Sequence, residues 1–313
     1  MKADLSRHPS RRGDALFRWL AKGSGWFILA LLVLIGGFLI AEALPALQHG
    51  KSNFFSTLEW DPDQSGVFGI AALVFGTVMT SLIALVIGVP IAIGVALYIS
   101  HYAPKAIARP LGYIVDLLAA VPSVVFGLWG LIWLVPTLIP ISQFLNKWFG
   151  WIPLFASSNG TYGKSMFAAG VVLAVMVLPI IAALCREVYI QTPTDHIEAA
   201  FALGATRWET IRMAVLPYGR SGTVSAIVLG FGRAVGETIA IALVLSSSNV
   251  ITFHILDPAG ATIAANVANK FGDAGELGRS ALIASGLILF AITLVVNFGA
   301  RAIVRRGNKE KKA

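Results

Sequence analysis

The sequence predicts an all-α, polytopic membrane protein with six transmembrane helices and both termini in the cytoplasm. Of its 313 residues, 57% are hydrophobic and 13% are charged, and the mean hydropathy is +0.78. An ordinary soluble protein is roughly half apolar and a quarter charged. Several apolar runs are long enough to cross a hydrocarbon layer about 30 Å thick. The single cysteine excludes an internal disulfide framework.

Six apolar runs in the chain have the length of membrane spans. They cover residues 26–44, 67–99, 114–135, 165–184, 223–245 and 281–300. The second run contains no charged side chain and no polar turn that would divide it, so it predicts one long helix bent near Gly88 and Pro90. The segment 136–164 is predicted to be an external loop, with a re-entrant segment as the alternative.

The distribution of lysine and arginine supports this topology, because these residues concentrate on the cytoplasmic side. Of the 24 lysines and arginines, 18 fall in segments predicted to be inside, 5 fall outside, and Arg233 lies within a span. The net charge of +8 is therefore explained by topology. No basic block is interleaved with aromatic residues, so a nucleic-acid partner is not predicted.

The spans divide the chain into four parts. Residues 1–25 are predicted to be a cytoplasmic or interfacial segment, and residues 26–66 comprise the first transmembrane helix and an external loop. A transmembrane domain with a cytoplasmic loop at 185–221 is predicted for residues 67–300. Residues 301–313 form a basic cytoplasmic tail.

The cytoplasmic loop between the fourth and fifth spans carries two helix-start signals. Residues 192–195 supply a threonine N-cap, a first-turn proline and an acidic third position, and Gly204 ends the helix that they start. Thr206 and Glu209 then form a capping box, and Pro217 is expected to end the second helix. The loop is therefore predicted to be two short helices that meet at a glycine.

Each of these two helices has an apolar face. The faces comprise Ile197, Ala200 and Phe201 on the first helix, and Trp208, Ile211 and Val215 on the second. Apolar side chains on a cytoplasmic loop need a partner. That partner is either the ends of the chain's own spans or another protein.

The fifth span contains two charged residues, Arg233 and Glu237, four positions apart on one predicted helix face. An arginine at the centre of a membrane helix costs about 3 kcal/mol on insertion scales and usually faces the bundle interior or a water-filled cavity. We therefore predict that the Arg233 guanidinium lies on the path of an anion, with Glu237 orienting it and limiting how tightly the anion is held. The alternative is an intrahelical ion pair. Gly232 and Gly236 form a GxxxG spacing that permits close helix approach.

Asp116, two residues into the third span, is a further candidate for the pathway, although charges near span ends commonly reach the interface. The sequence contains no metal-ligand spacing, nucleophile elbow or dinucleotide fingerprint. We therefore expect neither a catalytic site nor a bound cofactor or metal in this chain.

The cytoplasmic loop resembles the EAA loop of ABC importer permeases. The likeness rests on Glu198, Ala199 and Ala200, on Gly204 after three further residues, and on Leu216 and Pro217 beyond it. One departure is Ala214, where the family usually has a larger aliphatic residue. The resemblance implies that these residues form the coupling helix that docks onto a separate ATPase subunit.

Three other stretches are similar to the C-type permease subunits of bacterial phosphate-specific ABC importers. They are FGRAVGET at 231–238, FFSTLEWDP at 54–62 and AVPSVVFGL at 120–128. The resemblance implies a type I ABC importer permease (MetI-like) fold in the bacterial cytoplasmic (inner) membrane. It also implies that Arg233 and Glu237 serve phosphate passage.

By the same resemblance, the chain would form a heterodimer with a homologous A-type permease subunit. Two copies of a cytoplasmic ATPase, which use ATP and magnesium, and an external phosphate-binding protein would complete the transporter.

Two other functions remain open at the level of sequence. The chain could serve an ABC importer for another substrate, such as sulfate, molybdate or an amino acid. In an ion-coupled secondary transporter, by contrast, Glu237 and Asp116 would carry protons, but no inverted repeat of the kind found in such transporters is evident.

Overall fold

The computed structural model describes residues 11–309, with side chains described for residues 13–299 and for Ala302. This part of the chain contains twelve α-helices and one two-stranded hairpin. The helices are α1 Arg11–His49, α2 Ala71–Leu97, α3 Lys105–Ala119, α4 Ser123–Trp129, α5 Val135–Phe149, α6 Met166–Ile190, α7 Thr194–Ala202, α8 Arg207–Thr210, α9 Leu216–Val235, α10 Ile239–Val244, α11 Ile263–Lys270 and α12 Glu276–Lys309. The strands are β1 Trp60–Asp61 and β2 Val67–Phe68.

Five helical stretches within the described residues are long and apolar enough to cross a membrane. They are Gly13–His49, Ala71–Tyr102, Ser123–Phe149, Met166–Ile190 and Glu276–Gly299. The fifth predicted span, residues 223–245, is covered by α9 and α10 and is not among them. The count of six spans and the side of each terminus therefore stay predictions.

The first helix is continuous across the boundary predicted near residue 25. Helix α1 runs without interruption for 39 residues, through Gly23 and Gly25, so within residues 11–49 no separate interfacial helix precedes the first span. Residues 1–10 of the predicted N-terminal segment and residues 310–313 of the predicted basic tail lie outside the described residues.

The second span is a single helix, as predicted, but it begins four residues later. Val67 and Phe68 pair with Asp61 and Trp60 in the antiparallel hairpin, so their backbone groups are used in a strand. Pro90 is accommodated inside α2. A π-helical turn at Tyr98–Tyr102 extends the helix at its inner end.

The third span differs most from its prediction. The predicted run 114–135 is interrupted between α3 and α4, where Pro122 has an extended backbone and terminates the helical path. The membrane-long stretch starts at Ser123 and passes through a π-helical turn at Gly130–Leu134 into α5. Because α5 reaches Phe149, residues 136–149 are helical and continue the membrane-long stretch, so the prediction of a loop is wrong for them.

Helix α6 is the centre of the packed core. In its most apolar 18-residue window 61% of the residues are buried, against 6% for the corresponding window of α1. Helices α2 and α9 pack on either side of it through glycines that permit close contact. A Cβ at Gly170 would lie 2.4 Å from Ile83, and one at Gly230 would lie 2.5 Å from Ile181.

Two polar clusters fix the loops on the predicted external side. The Asp63 carboxylate accepts hydrogen bonds from the backbone N–H groups of Gly275 (2.9 Å) and Gly278 (2.8 Å) at the start of α12. Asp257 accepts from the Ser157 hydroxyl at 2.6 Å and from the Ser158 N–H at 3.0 Å. These contacts join segments that are about 100 to 215 residues apart in sequence.

Candidate functional site

The cytoplasmic loop forms the predicted pair of short helices, α7 and α8. Gly204 adopts φ +82°, and a Schellman arrangement ends α7, with the Gly204 N–H bonded to Phe201 O and the Ala205 N–H to Ala200 O. A side chain at Gly204 would be strained in this left-handed conformation. The prediction that a glycine sets the angle between the two helices is confirmed.

The capping box that starts α8 is also confirmed. Glu209 Oε2 accepts a hydrogen bond from the Thr206 N–H at 2.7 Å, and Thr206 Oγ1 accepts from the Glu209 N–H at 3.4 Å. The hydrogen bond from the Thr206 backbone lowers the pKa of the exposed Glu209 carboxyl, with a second contribution from the Thr206 hydroxyl.

The N-cap predicted for α7 is wrong by one residue. Pro193 occupies the N-cap position with extended backbone, and α7 begins at Thr194. Thr192 is buried, and its hydroxyl has no hydrogen-bond partner within the described part of the chain. The hydroxyl therefore does not cap α7.

The predicted end of the second helix at Pro217 is also wrong. Helix α8 continues through a π-helical turn at Ile211–Val215 directly into α9, and Pro217 lies in the first turn of α9. A proline at this position lacks the N–H that would bond four residues back, and a wider turn relieves the clash of its ring with the preceding backbone. The loop is thereby joined to the fifth span without a break.

The two faces of the loop differ in exposure. The inner face of the loop is the one turned toward the rest of the chain. On it Ala200, Ile211 and Val215 are buried, and Ile197 is half-buried. On the outer face, large apolar side chains are exposed: Leu203 87%, Met213 58%, Trp208 56% and Phe201 47%. The inner face therefore packs on the chain's own spans, as one of the two alternatives predicted, and the outer face is left exposed.

The remaining EAA residues lie at the surface and at the base of this loop. Glu198 and Ala199 are exposed on α7, while Leu216 and Pro217 are half-buried in the first turn of α9. Behind the loop, a cavity of about 230 Å³ is lined by His101, Ile197, Phe201, Arg207, Thr210 and Ile211.

The fifth span breaks next to its two charged residues. Helix α9 ends at Val235, and α10 begins at Ile239. The Gly236 N–H still bonds to Gly232 O at 3.2 Å, but Glu237 lies beyond the last helical residue. The prediction that Arg233 and Glu237 share one helix face is therefore wrong, because the helix does not continue to Glu237.

Glu237 instead contacts the next helix. Its Oε1 accepts a hydrogen bond from the Ala240 N–H at 3.3 Å, at the start of α10. Among the described residues, no ion pair joins Arg233 to Glu237 within 4.0 Å, so the intrahelical pair considered as the alternative is not formed. Arg233 is exposed on the surface of the chain, and Glu237 is half-buried.

The glycines around Arg233 face two directions. Gly230 contacts Ile181 of α6, so it serves packing within the chain, whereas a Cβ at Gly232 would meet no atom within 4 Å. The Gly232 and Gly236 side of α9 therefore faces open space together with Arg233. It is available to a partner helix or to cargo.

Helix α4 lies directly beside this break. A Cβ at Gly127 would be 2.6 Å from the Cα of Ala240, so the backbones of α4 and α10 are in close contact. The predicted stretch 120–128 thus reaches the fifth span at the residues that follow Glu237. The surface beside it is aromatic, with Trp129 and Trp133 stacked at 5.5 Å.

Asp116 lies on α3 and not in a membrane-long helix. Arg186 Nη2 of α6 lies 3.3 Å from Asp116 Oδ2 and 2.8 Å from Glu187 Oε1. The sequence did not identify Arg186 as a functional residue, because it follows the fourth apolar run as one of four arginines in the loop predicted to be cytoplasmic. Its contact with Asp116 joins residues 70 positions apart and has no local signature.

The comparisons with known proteins agree with this architecture. The family model described as "Binding-protein-dependent transport system inner membrane component" matches residues 88–309. The protein named phosphate transport system permease protein PstC 2 of Mycobacterium tuberculosis is 46% identical over 96% of this chain and 94% of its own length. The PstC protein of Xylella fastidiosa strain 9a5c is 39% identical over 96% and 93%.

Two solved structures share the fold at low sequence identity. The inward-facing MetNI methionine ABC transporter matches 76% of this chain and 95% of its own chain, with a TM-score of 0.53 and 20% identity. A bacterial ABC transporter involved in the import of alginate matches 95% and 96%, with a TM-score of 0.52 and 21% identity. The chain belongs to the family of inner membrane components of binding-protein-dependent transport systems.

Proposed function

We propose that this chain is the permease subunit of an ATP-driven importer that moves inorganic phosphate into the cell. The observation that carries the proposal is the exposed Arg233 at the break between α9 and α10, in a chain that is 46% identical to a phosphate transport permease over nearly its whole length. Arginine binds phosphate through a planar fork of N–H donors. A cation in an otherwise apolar span supports the passage of an anion.

In this proposal, Arg233 attracts the phosphate as it crosses the membrane, and Glu237 limits how long the phosphate is held. The carboxylate lies beyond the end of α9 and is anchored to α10 by its hydrogen bond to the Ala240 N–H. A negative charge near the anion weakens its binding. A site that binds weakly releases its cargo, which a transporter requires.

The outer face of the cytoplasmic loop docks onto the ATPase. Leu203 and Trp208 expose apolar area that a partner would cover, and the Schellman turn and capping box hold α7 and α8 at a fixed angle. Since α8 continues into α9, movement of the loop reaches the fifth span directly. Glu198, Ala199, Ala200, Gly204, Leu216 and Pro217 form this coupling segment.

The remaining partners follow from the same proposal. A homologous A-type permease subunit covers the open side of α9, two copies of a cytoplasmic ATPase hydrolyse ATP with magnesium, and an external binding protein delivers phosphate. The chain itself binds no cofactor or metal and is a transport subunit without a catalytic site. Membership in a binding-protein-dependent family favours this mechanism over an ion-coupled secondary transporter.

Uptake of labelled phosphate tests the proposal. Proteoliposomes would contain this chain, its permease partner and the ATPase, with the binding protein outside and ATP inside or omitted. We expect accumulation that needs ATP and that excess sulfate does not compete away. Hydrolysis of ATP without phosphate uptake would leave the coupling role in place and contradict the substrate, whereas uptake that survives without ATP would contradict an ABC importer.

A further inference from the structure

The ion pair between Asp116 and Arg186 joins two helices on the predicted cytoplasmic side of the core. The Arg186 side chain is 13% exposed, whereas the side chains of Asp116 and Glu187 are 48% and 60% exposed. The guanidinium is therefore held inside the protein and presents its Nη2 to two carboxylates at the surface. One carboxylate belongs to α6 itself, and the other belongs to α3.

The fit between α3 and Arg186 is close. A Cβ at Gly112, one turn before Asp116, would lie 2.6 Å from Arg186 Nη1. The guanidinium thus lies against the backbone of α3, and a side chain at Gly112 would force it to shift. Gly112 and Val115 are the buried residues of α3, so this is the face by which α3 packs on α6.

The position of the pair connects the two parts of the candidate site. Helix α6 ends at Ile190, four residues after Arg186, and α7 of the cytoplasmic loop begins at Thr194. Helix α3 ends at Ala119, three residues after Asp116, and the break before Ser123 leads into α4. Helix α4 in turn contacts α10, which Glu237 caps.

We propose that Asp116 and Arg186 are a positioning pair that transmits movement of the cytoplasmic loop through α3 to α4, and so to the break beside Arg233. The inference rests on the proposed function, because it assumes that an ATPase moves the loop. A displacement of the inner end of α6 carries α3 with it while the ion pair holds. The extended residues before Ser123 then convert that displacement into a shift of α4 against α10.

This role differs from a place on the phosphate path. Asp116 faces an arginine that already neutralises it, and the pair lies between α3 and α6. A partly exposed ion pair adds little to stability. Removing the Asp116 charge also leaves Arg186 paired with Glu187. Loss of the pair is therefore expected to affect coupling more than assembly.

The test compares Asp116→Asn with Glu187→Gln in the reconstituted transporter. Each variant removes the charge of one of the two carboxylates that contact Arg186, but only Asp116→Asn breaks the ion pair between α6 and α3. The measured quantities are ATP hydrolysed and phosphate imported. We expect Asp116→Asn to lower the phosphate moved per ATP about 5-fold or more, within the usual range of allosteric coupling. Glu187→Gln is expected to match the unmodified chain, and Asp116→Glu to restore most of the ratio.

A second measurement separates positioning from a pathway role. A cysteine introduced by Val125→Cys on the exposed side of α4 reports movement through its rate of reaction with a water-soluble thiol reagent, since the native Cys185 is buried. We expect ATP to change this rate in the otherwise unmodified complex, and Asp116→Asn to abolish the change. If Asp116→Asn lowered the phosphate moved per ATP but kept the ATP-dependent change in reaction rate, Asp116 would be a pathway residue and the proposal would be overturned.

The proposal would also be overturned if Asp116→Asn kept both the phosphate moved per ATP and the ATP-dependent change in the reaction rate of the unmodified complex. If that variant does not assemble, Arg186→Lys gives the same comparison, because lysine keeps the charge and loses the planar fork. Failure of the proposed function would look different. The unmodified complex would then import no phosphate, while the ATP-dependent change at residue 125 could still be measured.

Discussion

The two ends of α9 are built in opposite ways. At its inner end, predicted to be cytoplasmic, a proline that should stop a helix is accommodated by a π-helical turn, and the helix continues into the loop. At its outer end, a run of residues without proline stops at Gly236. The helix is therefore continuous at its inner end and interrupted at its outer end, beside Arg233.

The difference matches the proposed roles of the two ends: the loop moves the inner end, and Arg233 at the outer end meets phosphate. Ile211 and Val215 are buried at the inner end, so the π-helical turn is fixed by packing. At the outer end Arg233 and Gly236 are exposed, Ala234 and Val235 are buried, and Glu237 accepts a hydrogen bond of 3.3 Å from the next helix. A continuous inner end and a broken outer end that leaves Arg233 exposed suit the proposed function, in which the loop moves the helix and the helix acts on cargo.

Removing the charge at the outer end should have the largest effect. Arg233→Gln removes a charge-assisted contact of about 1.5–3 kcal/mol, which corresponds to a loss of phosphate uptake of about 10- to 100-fold. Uptake and the amount of assembled complex are measured together. Arg220→Gln is the matched control, because Arg220 is exposed on the same helix near its cytoplasmic end.

Arg233→Lys sharpens this result, since lysine keeps the charge and loses the planar fork. Intermediate uptake would show that the geometry of the guanidinium matters as well as its charge. Normal uptake by Arg233→Gln in a fully assembled complex would contradict a role in the pathway.

At the inner end, the strongest effect is expected from Gly204→Val. A β-branched residue at φ +82° costs at least about 1–2 kcal/mol and is relieved by turning α7 relative to α8. We expect ATP-driven uptake to fall about tenfold while the chain still enters the membrane. Gly204→Asn should be milder, because asparagine tolerates this conformation better.

The control for this substitution is Gly272→Val. Gly272 is exposed, has open space around it and does not need a left-handed backbone. Equal uptake by Gly204→Val and Gly272→Val would show that the angle between α7 and α8 does not matter for coupling.

The contrast between the ends also explains what the sequence could predict. The turn at Gly204 and the capping box of Thr206 and Glu209 depend on residues within four positions of one another, so they were recognisable. The break at Gly236 was not, because its glycine lies in an apolar run that reads as one span and the stop depends on contacts of α10 with α4.

The same reasoning applies to the third span and to Asp116. Pro122 is visible in the sequence, but a continuous apolar run on both sides of it favoured one helix over two. The contact of Asp116 with Arg186 depends on how α3 lies on α6, which no local pattern encodes. The helices of the fold and the turn at Gly204 were thus largely predictable, whereas the breaks near Pro122 and Gly236 were not.

A smaller effect is expected from Glu237→Gln at the outer end. The amide oxygen can still accept the hydrogen bond from the Ala240 N–H, so the start of α10 is kept and only the charge is lost. If the charge limits how tightly phosphate is held, half-saturation should move to lower phosphate and the maximal rate should fall, each about 2- to 3-fold for an exposed charge pair.

Glu237→Ala is the companion variant, since it removes both the charge and the hydrogen bond. Initial rates of uptake over a range of phosphate concentrations separate the two contributions. A Glu237→Gln variant with unchanged half-saturation and rate would mean that the carboxylate acts only as the cap of α10.

The smallest effect is expected from Pro217→Ala at the inner end. The π-helical turn is closed by the Leu216 N–H, which bonds to Ile211 O, and its apolar residues are buried, so the turn does not depend on the proline ring alone. Proline is also well tolerated in the first turn of a helix, and alanine there costs little. We expect uptake within about twofold of the unmodified chain, which corresponds to a change of up to about 0.5 kcal/mol. A loss as large as that of Gly204→Val would instead mean that the ring itself sets the direction of the loop. The inner end would then depend on one residue and not on the packing of the π-helical turn.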